Sequence, residues 1–178
     1  HTDHSGMVPK LYKQGFRGPV YATPATADLL SFMLPDSGHI QESEVRWLNQ
    51  RNRRRGRPEV KPVYTRDDAV ACMRLIQGVE YGEWLAPAPA PGLRVRFWNA
   101  GHILGSASIE LRLAGADGAE QCLVFSGDIG PQEKSFHTEP DAPSDIDYLL
   151  VEGTYGARRR EDVSIAARRD MLKQLLLD

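Results

Sequence analysis

A chain of 178 residues, 41% hydrophobic and 26% charged, with a formal net charge of -2, holds about one globular domain and is neither disordered nor fibrous by composition. So small a net charge gives no overall pull toward nucleic acid or a membrane surface, and no apolar run nears the ~20 residues that span a bilayer. Its two cysteines, Cys72 and Cys122, stand apart in apolar surroundings, which predicts buried reduced thiols rather than a disulfide framework and a cytoplasmic setting.

In chain order, "SGMVPKLYKQG" predicts a short helix closed by Gly15. "GPVYAT" is β-rich. Ala22 to Leu34 reads as a helix that Thr23 or Thr26 caps and Pro35 ends. "HIQESEVRWLNQRNRRR" predicts a second, exposed helix, and "GRPEVKPVY" a proline-punctuated loop. In "TRDDAVACMRLIQG", Thr65 caps a helix with Asp67 and Asp68 in its first turn and a stripe of Val70, Met73, Leu75 and Ile76. "LRVRFWNA", "SIELRLA" and "CLVFSG" are strands, the last two joined by a hairpin turn at "AGADGAE". "APAPAPG" reads as a stiff surface connection. "IDYLLVEG" reads as a buried strand, and the chain then returns to helix at "SIAARRDMLKQLLLD". Helices around a strand-rich middle indicate a layered α/β domain.

Three stretches carry side chains suited to metal chemistry. The opening "HTDH" places His1, Asp3 and His4 within four residues; an extended or turning segment there could direct them to one cation. Imidazole and carboxylate donors suit zinc, and also manganese or iron. Taken alone, such a tetrapeptide reads as readily as a tag remnant or a frayed end. "NAGHILGSA" presents His102 between glycines after one strand, and "FSGDIG" presents Asp128 after another. Strand-end loops are where scaffolded sites are displayed, although each residue alone would also serve as an ordinary loop or turn residue.

Together, "HTDH…GHILGSA…FSGDIG…VEGTYG" resembles the metallo-β-lactamase superfamily and, within it, the β-CASP RNA-processing nucleases. The superfamily signature is H-x-H-x-D-H, and the chain opens at its third position. The resemblance implies a partial αββα sandwich over residues 1–156, with residues 157–178 beginning a β-CASP domain whose first helix is expected at Asp162 to Leu177. It implies that His1 and His102 bind one zinc ion, that Asp3 and His4 bind a second, and that the carboxylate of Asp128 bridges the pair. Two such cations can clamp the attacking and leaving oxygens of an in-line displacement. "YLLVEGTYG" resembles the family's acidic motif, which gives Glu152 the support of a later histidine in protonating the leaving oxygen. Asp3 and Glu152 are thus the candidate catalytic carboxylates. The family's two later motif histidines do not occur in this sequence. The resemblance therefore also implies an internal piece of a longer protein, expected to bind zinc weakly and to lack activity by itself.

The expected function is zinc-dependent hydrolysis of RNA, endonucleolytic, 5′-exonucleolytic or both. RNA is the expected partner, no membrane is expected, and a homodimer stays open. Two alternatives are a small-ester or lactam hydrolase of the same superfamily and a non-catalytic scaffold subunit of an RNA-processing complex. "VEGTYG" speaks against the first, and the five matching ligand residues against the second. The arginines of "RNRRRGRPEVK" (Arg51, Arg53, Arg54, Arg55, Arg57, with Lys61) and of "ARRRED" offer phosphate contacts, against the commoner reading of a solvated face. Of the three tryptophans that could stack bases, Trp84 and Trp98 are expected in the core and Trp47 is left unassigned. His39 and His137 read as surface or loop residues. Ser106 lies close enough to His102 to bond groups of the site.

Overall fold

The computed structural model describes residues 1–88, 90–115, 118–131, 138–157 and 164–177. In chain order these form α1 (Thr2–Ser5), α2 (Val8–Lys13), β1 (Val20–Ala22), α3 (Pro24–Arg54), α4 (Arg66–Cys72), a 3-10 turn (Met73–Leu75), β2 (Ile76–Gly78), β3 (Trp84–Leu85), β4 (Leu93–Asn99), β5 (Ala107–Ala114), β6 (Glu120–Phe125), β7 (Tyr148–Leu150) and α5 (Ile165–Leu177). Strands β1 and β2 pair in parallel, and β3-β4-β5-β6-β7 form a second sheet in that order. The second sheet is antiparallel up to β6, which pairs with β7 in parallel. The fold is α/β with mixed sheets.

The helices pack around Leu30, Leu34, Tyr64, Ala69 and Cys72, with Val8, Tyr12, Met73 and Ile76 against them. Here the expected break at Pro35 is corrected. One helix of 31 residues, α3, runs straight through it. An interior proline costs roughly 3 kcal/mol, because its ring nitrogen cannot bond the carbonyl four residues back. That carbonyl belongs to Ser31, which is exposed. Leu30, Leu34 and Gly38 are buried along the same face, so continuing the helix buries a stripe that a break would disrupt. Asn49 accepts a bond from Val60 N–H and donates one to the Val60 carbonyl, and Asn52 donates to the Pro58 carbonyl. These bonds strap the proline-rich segment back along α3. His39 is an exposed residue of this helix, and Arg51, Arg53 and Arg54 lie in its last turn.

Two local readings shift. Thr65 caps α4 as expected, with Asp68 completing a capping box, but α4 ends at Cys72 and Val70 is exposed. Ile76 leaves the expected helix for β2, where it pairs with Val20; sheet pairing there overrides helical periodicity. The strand in "IDYLLVEG" is present but not buried, since Tyr148, Leu149 and Leu150 are each more than half exposed. Among the described residues β7 is the last strand of the sheet order and pairs only with β6. The helix at "SIAARRDMLKQLLLD" is α5, with its leucines exposed. Both cysteines are free and buried. The tip of the "AGADGAE" hairpin (116–117), Pro89, His137, the arginines of "ARRRED" (158–160) and residues 161–163 lie outside the described residues.

Trp84 and Trp98 do not fill the core. Trp84 is 40% exposed. Arg96 stacks on both indoles, at 4.2 Å from the Trp84 ring and 4.3 Å from the Trp98 ring. Fully buried Glu110 gathers this face by accepting from Arg96 Nε, Trp98 Nε1 and Arg112 Nε. Burial alone would raise the Glu110 carboxyl, but donation from Trp98, Arg112 and Arg96 outweighs it and holds the group below its ordinary value.

Candidate metal centre

The two loops that leave β4 and β6 meet the start of the chain. The segment expected to be extended or turning at His1 to His4 is a single helical turn, with His1 as its N-cap. A helical turn puts residues three apart on one side, so His1 and His4 face the same space. Asp128 Oδ2 is the shared atom: it lies 3.3 Å from His1 Nδ1, 3.4 Å from His4 Nε2 and 3.7 Å from His102 Nε2. His4 Nε2 is in turn 3.4 Å from Asp3 Oδ2. The His1 and His102 rings meet edge-on with centroids 5.2 Å apart. Four of the sequence-derived candidates, His1, His4, His102 and Asp128, thus meet at one oxygen, while Asp3, the most exposed of the five, is placed by its contact with His4.

These separations suit a cation. They sit at or beyond the long end of good hydrogen bonds, about 2.7–3.2 Å. Ligands at ~2.1 Å from a tetrahedral ion lie about 3.4 Å from one another. Donor atoms of His1, His102 and Asp128 all fall within 4.8 Å of one another. Nitrogen and carboxylate donors in this number fit zinc.

The backbone explains why the loops meet. Gly130 N–H donates to the Ala100 carbonyl, and a Cβ on Gly130 would sit 1.7 Å from the Gly101 oxygen. The loop carrying Asp128 thus lies in van der Waals contact with the loop carrying His102, which only a residue without a side chain permits. Ser106 Oγ accepts from the backbone N–H of His102 and of Ile103. Thr23 and Thr26, at the N-terminus of α3, both donate their hydroxyls to the Gly105 carbonyl. In the sequence Thr23 and Thr26 stand out only as caps, and Gly130 carries no assigned role. The second glycine of "SGDIG" was the available signal.

Glu152 acts on the same loop from behind. Its Oε1 accepts from Ile129 N–H at 2.8 Å, and its own N–H donates to Ser126 Oγ. Bonding to the Thr154 side chain, then to Ile129 N–H, holds its carboxyl below the ordinary range, with His102 contributing. Glu152 is therefore an anion that braces the Asp128 loop. Beside the cluster lies a cleft of about 250 Å³, rimmed by His1, His4, His102 and Asp128 and floored by apolar Leu30, Met33, Phe97 and Ile109.

No family model matches the chain. Over 158 residues it is 35% identical to Ribonuclease TTHA0252 of Thermus thermophilus, covering 89% of this chain and 31% of that protein. It is 34% identical over 170 residues to transcription termination factor FttA of Methanothermobacter thermautotrophicus, covering 95% of this chain and 23% of that protein. Against FttA of a Lokiarchaeum species it is 31% identical over 177 residues, covering 99% of this chain and 25% of that protein. The chain thus spans about a third or less of the length of these relatives. Along nearly all of its own length it is similar to proteins named for ribonuclease activity and for transcription termination.

Proposed function

We propose that this chain carries the catalytic centre of a zinc-dependent ribonuclease of the β-CASP branch of the metallo-β-lactamase superfamily. In this reading residues 1–156 belong to the αββα sandwich and residues 157–178 open the β-CASP domain. His1, Asp3, His4, His102 and Asp128 would together hold two zinc ions, His1 and His102 serving one, Asp3 and His4 the other, and Asp128 contributing to both. When bound, zinc supplies Lewis-acid polarisation of a phosphoryl oxygen and acidifies a water molecule. The chain's own part is to hold five donors in place through the glycine contact and the Thr23, Thr26 and Ser106 bonds. Ionised Glu152 keeps the Asp128 loop fixed and offers its charge to a neighbouring imidazole. Buried reduced thiols suit a cytoplasmic setting.

The observation that carries the reading is the single oxygen, Asp128 Oδ2, within 3.7 Å of three imidazole nitrogens. The test is hydrolysis by the natural-length protein of a single-stranded RNA and of a lactam, each with and without a chelator. Cleavage of RNA alone, abolished by chelation and restored by zinc, is expected. Lactam hydrolysis without RNA cleavage would move the protein to the small-substrate branch, and chelator-resistant RNA cleavage would remove the metal from the mechanism.

A further inference from the structure

We infer that the last turns of α3 form a second contact surface for single-stranded RNA, remote from the cation cluster; this rests on the ribonuclease reading and extends it. Trp47, Gln50, Arg51 and Arg54 follow one another at helical spacing, and with Arg55 they enclose a surface notch of about 290 Å³. The notch faces away from the strap, because Asn49 and Asn52, on the opposite side of the helix, are buried against it. Trp47 is 62% exposed, with the Arg51 guanidinium 5.8 Å above its ring.

Among the described residues, Arg51, Arg54 and Arg55 form no ion pair, whereas neighbouring Arg53 is held by Glu59. The other arginine–tryptophan cluster contrasts with this one: Arg96 is bound to Glu110 and Arg94 to Glu120. Three guanidinium groups without acids, beside an open indole face, match a polyanion with flat rings. A base stacks on the indole while phosphates meet the arginines, and the Gln50 amide offers a donor and an acceptor to a base edge. An anionic membrane fits less well. Among the residues lining the notch Trp47 is the one large apolar ring, too little to anchor this surface in lipid.

The helix itself sets the spacing. Its first turn holds the His102 loop through Thr26, and Trp47 to Arg55 lie 21 to 29 residues further on. At ~1.5 Å per residue that is about 30–45 Å, or roughly 9–13 stacked nucleotides at ~3.4 Å each. A stacked RNA strand of that length reaches both places.

The experiment compares natural-length protein with Trp47→Ala and with the triple variant Arg51→Gln, Arg54→Gln, Arg55→Gln, each checked for an unchanged melting profile. Binding of a 30-nucleotide single-stranded RNA is measured by anisotropy at several salt concentrations, and cleavage of 30- and 6-nucleotide RNAs by KM and kcat. The triple variant is expected to bind the long RNA at least about 10-fold more weakly, with its salt slope reduced by roughly 2. Trp47→Ala should lose about 5-fold or more. The long substrate's KM should rise in parallel with kcat held within about 2-fold, and the short substrate should be unaffected. Unchanged long-RNA affinity in both variants overturns the inference, even where the 6-mer is still cleaved. Unchanged RNA affinity accompanied by lost binding to phosphatidylserine vesicles would assign the surface to a membrane and overturn it equally. Wild type that binds the 30-mer through these residues yet cleaves neither RNA would leave the surface standing and remove the nuclease reading.

Discussion

Gly130 shows how one residue fixes the distance between two others. Its missing side chain lets the Asp128 loop rest on the backbone of Gly101, beside His102. With Gly130→Ala, a methyl group would have to share space with the Gly101 oxygen, so the two loops must separate. Displacing groups that orient ligands typically costs 10–100-fold in metal affinity, and zinc titration calorimetry should record a loss in that range. Unaltered zinc affinity in this variant would show that the loop contact does not position the ligands. Cys72 makes a separate statement about stability. Burial pushes its thiol up to about 11, with the nearby Asp68 charge adding to the effect. A raised thiol pKa favours the neutral form in the folded state, so its contribution is complete below the ordinary value of 9.0. It is lost as pH climbs from there through about 11, amounting to about 2–3 kcal/mol. Urea midpoints from pH 8 to 11 should fall more steeply in the wild type than in Cys72→Ala; parallel curves would contradict this. Residues such as His102 and Asp128 were legible in the sequence because chemistry and glycine neighbours coincide there. Thr23, Thr26 and Gly130 were not, because each acts through a partner some 30 to 80 positions away that local spacing does not reveal.

At the scale of elements, α3 is the part that local rules misjudge. Pro35 marks a stop by propensity, yet the helix continues because Leu30, Leu34 and Gly38 bury one continuous face. Gly38 also sets how closely α3 and α4 approach: a Cβ there would lie 2.7 to 2.9 Å from backbone atoms of Thr65 and Arg66. Helix propensity predicts that Gly38→Ala stabilises by up to about 1 kcal/mol. The close contact predicts the opposite sign, a net loss of about 1–3 kcal/mol as α4 is pushed away. Denaturant unfolding decides between the two, and a stabilised Gly38→Ala would refute the packing argument. The strands were easier to read, because alternation in β4 and β5 matches their two faces. Trp84 and Trp98 were misplaced for a definite reason: a run of apolar and aromatic residues does not reveal that Arg96 and buried Glu110 lie on the same face.

At the scale of the whole molecule, three distant segments of the chain converge on one site. The N-terminal turn, the β4–β5 loop and the segment after β6 are far apart in sequence, and the fold joins them around Asp128 Oδ2. The helices contribute by anchoring the His102 loop at one end of α3 and presenting Trp47 and its arginines at the other. The central proposal is that His1, Asp3, His4, His102 and Asp128 would together hold two zinc ions, with Asp128 serving both. Its most direct test is the zinc stoichiometry of the natural-length protein and of Asp128→Asn, measured by equilibrium dialysis with elemental analysis alongside RNA hydrolysis. The account predicts two zinc ions per chain in the wild type. It predicts weakened binding of both ions in the variant, together with a fall in hydrolysis of at least about 100-fold. Full activity with two tightly held zinc ions in Asp128→Asn would contradict it.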